Sequence, residues 1–439
     1  MTELDRDGKL AGYYPSAWPV ECGGPRRQKL VSSPGLALKD GERLLSTTRQ
    51  MDGWAVMQVQ RAPGEIFVQG GAGLGQSEFP PEYRDQGDTS GWLERIDPIT
   101  LKTLARSPEL PSGGHLWCGA VVVHENGDLY MVNGRYCHRL DEDCRVVAER
   151  KLPVDAPYNG LLILSDGNLL MKNLGTDPSV NCKFSLLEPE RLESVGEPLE
   201  IPEACMGRFS SDRTKEGEFV YFTSATKIYR LRYEGGRLML DSDWQGSYEI
   251  EGEDQGDGWD TSVGSDCIWM MDMGRPPPWR GLASAPQRAF RFPIDDPGER
   301  DVIETFGMPN AVNVGPPLYD PERRILVAYD MMNGKVGAWR FEGPGQYASL
   351  WQHDWRCAVQ MILYSDTGEL VLEDGAAMGP ASSAEGSMAV VVDIETGREL
   401  GRAPSGAPSI SGMFFCPGYG RDFYSGSLRG AIARYYVEG

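Results

Sequence analysis

Histidine is scarce in this chain, with four in 439 residues, and none of the nine cysteines is spaced C-x-x-C. The familiar zinc and redox motifs are therefore excluded. No apolar run approaches the roughly 18 residues of a membrane helix, and Met1–Asp7 lacks a basic leader followed by an apolar core. Basic residues are few: 43 Lys and Arg stand against 64 Asp and Glu, a formal charge of −21. Nucleic acid and anionic membranes need a basic footprint, so neither is expected as a partner. There is no G-x-S-x-G elbow, Walker loop, H-E-x-x-H pair or dinucleotide fingerprint, and no nucleotide cofactor is expected. The cysteines are odd in number, scattered and mostly in apolar surroundings, which suits a reduced, cytoplasmic protein. Segments with helical periodicity are missing as well.

What the chain has is repetition. Gly127-Asp128-Leu129-Tyr130-Met131-Val132-Asn133, Gly167-Asn168-Leu169-Leu170-Met171-Lys172-Asn173 and Gly368-Glu369-Leu370-Val371-Leu372-Glu373-Asp374 are variants of one strand. Cys267–Asp272 and Arg324–Asp330 are two more. A period of roughly 40–50 residues with four short strands per unit predicts a β-propeller. With 54 Gly and 31 Pro to make its turns, the chain reads as all-β, one propeller over residues 1–439 with the blades in 51–439. Eight blades are expected, seven if the first unit is an elaborated connection. The last unit, from Ser411, holds only three strands. A strand from the N-terminal 1–50 segment must complete it, with Lys29–Ser32 and Leu36–Leu38 as candidates.

Chemistry is sought where the copies differ. Asn159, Asp260, Asn313, Gln360 and Ser411 align at the beginning of innermost strands, where small or apolar residues are usual. The second strand runs back antiparallel, so its terminal Asn133, Asn173, Asp272, Asp330 and Asp374 return to the same face. The long insertions 70–91, 273–287 and 375–387 leave from that face too, as loops covering a functional site do. Polar rims around channel water would account for the first column, and turn capping for the second.

Trp54, Trp117, Tyr158 and Trp259 precede or begin innermost strands, so they serve either as packing between blades or as walls of an aromatic pocket. Gln360 and Ser411 would add polar contacts to a substrate there. His115 and His353 lie in connections toward this face and are candidate proton carriers, with Arg208 able to hold an anionic group. Asn159, Asp260 and Asn313 supply the oxygen donors that a hard divalent cation such as Ca²⁺ prefers.

Tyr158-Asn159-Gly160, followed by Asp166-Gly167 and Leu169-Leu170, resembles a phrase of the SMP-30/gluconolactonase and strictosidine-synthase-like propellers, and Met308–Val312 echoes it. The resemblance covers about a dozen residues. In the lactonase branch a divalent cation sits on the channel axis, which implies Asn159 and Asp260 as ligands here. The expectation is an enzyme acting on a small organic molecule at the channel mouth, first by metal-assisted lactone or ester hydrolysis. The alternatives are a metal-free lyase or isomerase using His115 or His353 with Arg208, and a non-catalytic interaction propeller. Pyrroloquinoline-quinone dehydrogenases also have eight blades, but their vicinal cysteines and repeated Trp motif are missing.

Overall fold

The computed structural model of the protein describes all residues except 1–9, 32–34, 52, 72–89, 116, 176–178, 274–284, 358–360, 376–385, 407–413, 428–429 and 439. It is an eight-bladed β-propeller. Each blade is an antiparallel sheet of four strands in consecutive order, and blade eight takes its fourth strand from the N-terminal region. The innermost strands, in order, are Trp54–Gln60, Cys118–Val123, Tyr158–Ile163, Ser210–Thr214, Ser262–Val263, Leu318–Asp320, Ile362–Tyr364 and Phe414–Pro417.

The repeated phrase forms the second strand of its blade. Leu129–Asn133, Leu169–Asn173 and Cys267–Met271 are buried at every position, because these strands are covered by neighbouring blades on both faces. Outer strands meet solvent, and all but one residue of Val146–Lys151 in blade two is exposed. The turn glycines Gly127, Gly167 and Gly368 have φ of +90°, +86° and +73°, which accounts for glycine at this point of the phrase. Near the axis the blades nearly touch. A Cβ added to Gly119 would stand 2.3 Å from the Tyr158 carbonyl, and one on Gly207 2.3 Å from that of Trp259.

The closing strand is neither sequence candidate. It is Arg43–Gln50, which pairs antiparallel with Ala431–Glu438 along its whole length, from Arg43 opposite Glu438 to Gln50 opposite Ala431. Leu30–Val31 instead runs parallel to the innermost strand of blade seven, Leu30 opposite Leu363 and Val31 opposite Tyr364. Its neighbours in sequence show why.

An innermost strand has one edge facing the axis, and its N–H groups need acceptors. The segment 10–31 supplies them. Carbonyls of Gly12 and Pro19 accept from Glu125 and Val123 of blade two, and that of Trp18 from Gln60 of blade one, each at 2.8 Å. Pro25 accepts from Ser211 of blade four (2.8 Å), Arg26 from Val263 of blade five (2.9 Å), and Lys29 from Leu363 of blade seven (2.9 Å). The Tyr13 hydroxyl takes the Ile163 N–H of blade three, and Lys29 Nζ reaches the Pro316 carbonyl ahead of the innermost strand of blade six. A segment touching seven blades in this way lies on the axis. The channel expected between the blades is filled by the protein's own chain.

Candidate active site on the propeller axis

Filling the axis with this segment carries charge into the interior. Arg27 donates to both oxygens of Glu21 (3.2 and 3.3 Å) and, through Nη2, to Asp260 Oδ2 at 2.5 Å. Asp260 Oδ1 accepts the backbone N–H of Arg208 at 2.6 Å, while Arg208 Nε lies 3.1 Å from Glu21. All four residues are at most 4 % exposed, so solvent does little to screen them. Lys29, fully buried, joins the same cluster. Three cations thus face two carboxylates when Lys29 is protonated.

The titration of these groups follows from their surroundings. Burial alone would push the Glu21 carboxyl up, but the Arg208 and Arg27 guanidinium groups outweigh it and hold Glu21 below its ordinary value. Burial dominates at Lys29, helped by Arg27 and opposed by Cys22, Asp260 and Cys357, and lowers its amine to about 8. Below pH 8 both folded and unfolded chains carry the proton, and the fold bears the cost of a buried charge. Between pH 8 and the ordinary 10.5 the unfolded chain holds more protons, so this residue makes stability rise with pH. Denaturant unfolding of wild type and Lys29→Met at pH 7 and pH 10 should show wild type gaining on the variant by about 3 kcal/mol. A constant difference across that interval would refute the assignment.

The backbone of this segment is also unusual. Cys22, Arg27 and Lys29 have φ of 63°, 56° and 64°, three non-glycine residues in the left-handed region within eight positions. Such conformations cost about 1–3 kcal/mol each and persist where the surroundings impose them, often at functional sites.

On this face, where innermost strands begin and second strands end, Met51, Trp117, Met206, Trp259, Met331 and Phe414 belong to one hydrophobic cluster and form an apolar rim. Arg208 leaves blade four, and its Cζ lies 5.9 Å from the ring centroid of Phe414 in blade eight, the opposite blade. The guanidinium therefore spans the axis. Its Nη2 is buried with no hydrogen-bond partner among the described atoms, as are Trp54 Nε1, Trp259 Nε1 and Asn313 Oδ1. Others occur elsewhere in the blades, but a buried guanidinium nitrogen on the axis carries charge, and leaving it unpaired points to a bound molecule or ordered water.

The residues singled out from sequence are distributed unevenly around this centre. Arg208 and Asp260 are in it, and Trp117 and Trp259 are on its rim. Trp54 meets Trp117 edge-on with centroids 6.4 Å apart. Tyr158 is fully buried, its hydroxyl accepting the Val154 N–H, so it packs between blades. Asn159 accepts from Trp117 Nε1 and donates to the Met206 carbonyl, both at 3.1 Å, bracing the rim. Asn313 Nδ2 donates to the Asp272 carbonyl at 2.6 Å. Gln360 and Ser411 lie outside the described residues, as do most of the three long insertions.

The two histidines are not brought to Arg208. His115 is bonded to Asp155 (3.1 Å), which also takes Arg135. His353 closes the outermost strand of blade six rather than a connection over the mouth. It lies three strand spacings from the innermost strand, roughly 14 Å. There it stacks on Trp355 with centroids 4.0 Å apart and contacts the Gly397 carbonyl.

A divalent cation does not fit Asn159, Asp260 and Asn313 as they stand. The amide of Asn159 is engaged at both ends, Asp260 is held by a guanidinium and a backbone N–H, and only Asn313 retains a free oxygen. No group of three or more His, Cys, Asp or Glu placed to hold a metal occurs among the described residues. Sequence reasoning missed Glu21, Arg27 and Lys29. Their signal was a cluster of charges in the Gly- and Pro-containing stretch Glu21–Lys29, ahead of the first repeat.

Fold and site together define an eight-bladed β-propeller whose axis is filled by its own N-terminal segment. No family model and no curated protein matches the chain. Among solved structures it is similar to the quinohemoprotein alcohol dehydrogenase of Comamonas testosteroni, with a TM-score of 0.63 and 11% identity over 95% of this chain and 80% of that one. A europium-containing methanol dehydrogenase gives 0.59 and 10%, covering 95% and 97% of the two chains. Sqt1 from Chaetomium thermophilum gives 0.53 and 12%, covering 92% and 100%. At these identities the likeness is one of fold. No helix among the described residues is long and apolar enough to cross a membrane.

Proposed function

We propose that the axial mouth binds a small organic anion, its carboxylate on the Arg208 guanidinium and its apolar part under the Met, Trp and Phe rim. The observation that carries this reading is the buried, unpartnered Nη2 of Arg208 on the axis, in a cluster with more cations than carboxylates. An enzyme is favoured over an interaction propeller because the free Arg208 Nη2 is enclosed on the axis rather than displayed on an outer face. Of the two catalytic expectations, the metal-independent lyase or isomerase is favoured over metal-assisted lactone or ester hydrolysis, because the proposed metal donors are committed to protein partners. His115 and His353 stand apart from Arg208. Within the cluster, Lys29 is the group whose proton is exchangeable near neutral pH.

The test is calorimetric titration of a panel of monocarboxylates, benzoate and acetate among them, into wild type and Arg208→Gln. Wild type should bind an aromatic member, and the variant should lose tenfold or more in affinity, as a charge-assisted hydrogen bond of about 1.5–3 kcal/mol implies. Equal affinities would refute the role of Arg208, and an absence of binding to wild type would refute the proposed function.

A further inference from the structure

Asn is followed by Gly at four places in the chain, Asn126-Gly127, Asn133-Gly134, Asn159-Gly160 and Asn333-Gly334. Such a pair is chemically unstable wherever water can take the proton from the glycine N–H. The nitrogen then closes a ring on the asparagine side chain, with no Cβ of its own in the way. The fold protects three of the four. The Gly127 N–H donates to the His124 carbonyl (2.9 Å), and the Gly134 N–H to that of Trp117 (2.7 Å). Asn133 is buried, its Nδ2 donating to the carbonyls of Leu110 and Pro111. Asn159 is fully buried, with its amide engaged at both ends.

Asn333-Gly334 lies in the turn between Ile325–Asp330 and Lys335–Gly343 of blade six, on the mouth face, and both residues are only half-buried. Gly334 has φ of +63°, and its N–H finds no acceptor among the described residues. Arg356 stands beside it: a Cβ added to Gly334 would lie 3.7 Å from Arg356 Nη2. The guanidinium is fixed by bonds from Nη1 to the carbonyls of Met331 (3.1 Å) and Met332 (3.0 Å), and no carboxylate among the described residues pairs with it. A fixed cation beside a free N–H favours loss of its proton. Asp330 positions the asparagine, accepting its N–H on Oδ1 (3.2 Å) and its Nδ2 on Oδ2 (2.6 Å).

We infer that Asn333 is a modification site of the mouth, converted by water into aspartate and isoaspartate with loss of ammonia while the other three pairs persist. The Gly334 nitrogen gives its proton to hydroxide and attacks Asn333 Cγ, forming a C–N bond. The C–Nδ2 bond breaks, and the leaving nitrogen takes a proton from water and departs as ammonia. Water then opens the cyclic imide at either carbonyl, and no electrons change hands. The product carboxylate cannot donate, so the bonds of Nδ2 to Asp330 and to the Pro309 carbonyl (3.0 Å) are lost, and two carboxylates face each other. Asp330 also accepts the N–H groups of Val312 and Met332, and the Met331 N–H donates to the Val312 carbonyl (2.8 Å). The change therefore reaches the apolar rim through Met331.

The test incubates the intact protein in mildly alkaline buffer over weeks and maps its peptides, with denatured protein alongside. The Asn333 peptide should gain about 1 Da and become a substrate for protein isoaspartate methyltransferase, while Asn126, Asn133 and Asn159 stay intact in the folded protein. An intact Asn333 in folded protein, or earlier loss at another of the pairs, would overturn the inference. Arg356→Met should slow the reaction roughly tenfold, the effect of one pKa unit on the amide anion, and an unchanged rate would remove Arg356 from the site. In Asn333→Asp the Met331 and Met332 amides should exchange with deuterium roughly tenfold faster than in wild type, and equal protection would overturn the effect on the rim.

Discussion

A variant beginning at Met51 should fail to fold cooperatively, with loss of soluble expression or of a single unfolding transition. The deletion removes Arg43–Gln50, the outer strand of blade eight, and leaves the edge of Ala431–Glu438 unpaired from end to end. It also removes the axial segment, so the N–H groups of Gln60, Val123, Ser211, Val263 and Leu363 lose their acceptors together. Each unsatisfied buried group costs about 1–3 kcal/mol. Their sum rivals the whole stability of an ordinary domain, about 5–15 kcal/mol. A variant beginning at Arg43 separates the two contributions, since it keeps the closing strand and loses only the axial segment. It should fold, if at all, with a lowered transition and with binding of dyes to the exposed axis. Native-like unfolding of the Met51 variant, seen by circular dichroism and calorimetry, would contradict this account of closure.

Replacing Asp260 by Ala should destabilise the protein by about 3–5 kcal/mol, the cost of leaving a buried charge without its partner. Asp260 joins the axial segment to blades four and five, taking Arg27 on one oxygen and the Arg208 N–H on the other. The same substitution at an exposed pair such as Arg43–Glu438 should cost no more than about 1 kcal/mol. Denaturant titration of Asp260→Ala and Glu438→Ala measures both. Comparable small losses would mean that the axial ion pairs do not hold the segment in place. In the double variant Arg27→Met/Asp260→Leu part of the loss should return, because both members of the buried pair are then apolar.

The parts of this molecule that repeat were legible in sequence, and the parts that occur once were not. Leu129–Asn133, Leu169–Asn173 and Cys267–Met271 announce themselves by copying one another, and their burial on both faces makes each copy an apolar run. Eight such units imply a ring. The closing strand Arg43–Gln50 has no copy and reads RLLSTTRQ, since one face meets solvent and its fit is decided by backbone pairing with Ala431–Glu438. Leu30–Val31 has the more strand-like sequence and goes to the axis, where the edge of blade seven offers donors.

The site shows the same division. Asp260 stood out as an exception among aligned copies, and Trp117, Trp259 and Arg208 because they flank the starts of innermost strands. Glu21, Arg27 and Lys29 belong to no repeat, and nothing in their local pattern says that a flexible-looking stretch will be threaded through a ring. The partners of Asp260 come from 233 and 52 residues away, separations that no local pattern can report. His353 misled for the opposite reason. Its distance from the next repeat suggested a loop over the mouth, but Gln346–His353 continues as a strand to that residue.

The central claim is that Arg208 holds an anion on the propeller axis. It is tested most directly by a crystal structure of the complex with the tightest-binding carboxylate of the panel. The account predicts carboxylate oxygens within hydrogen-bonding distance of Arg208 Nη2, about 2.7–2.9 Å, with the apolar part against Trp117, Trp259 and Phe414. Density for the carboxylate elsewhere on the protein, with only water at the Arg208 guanidinium, would contradict it.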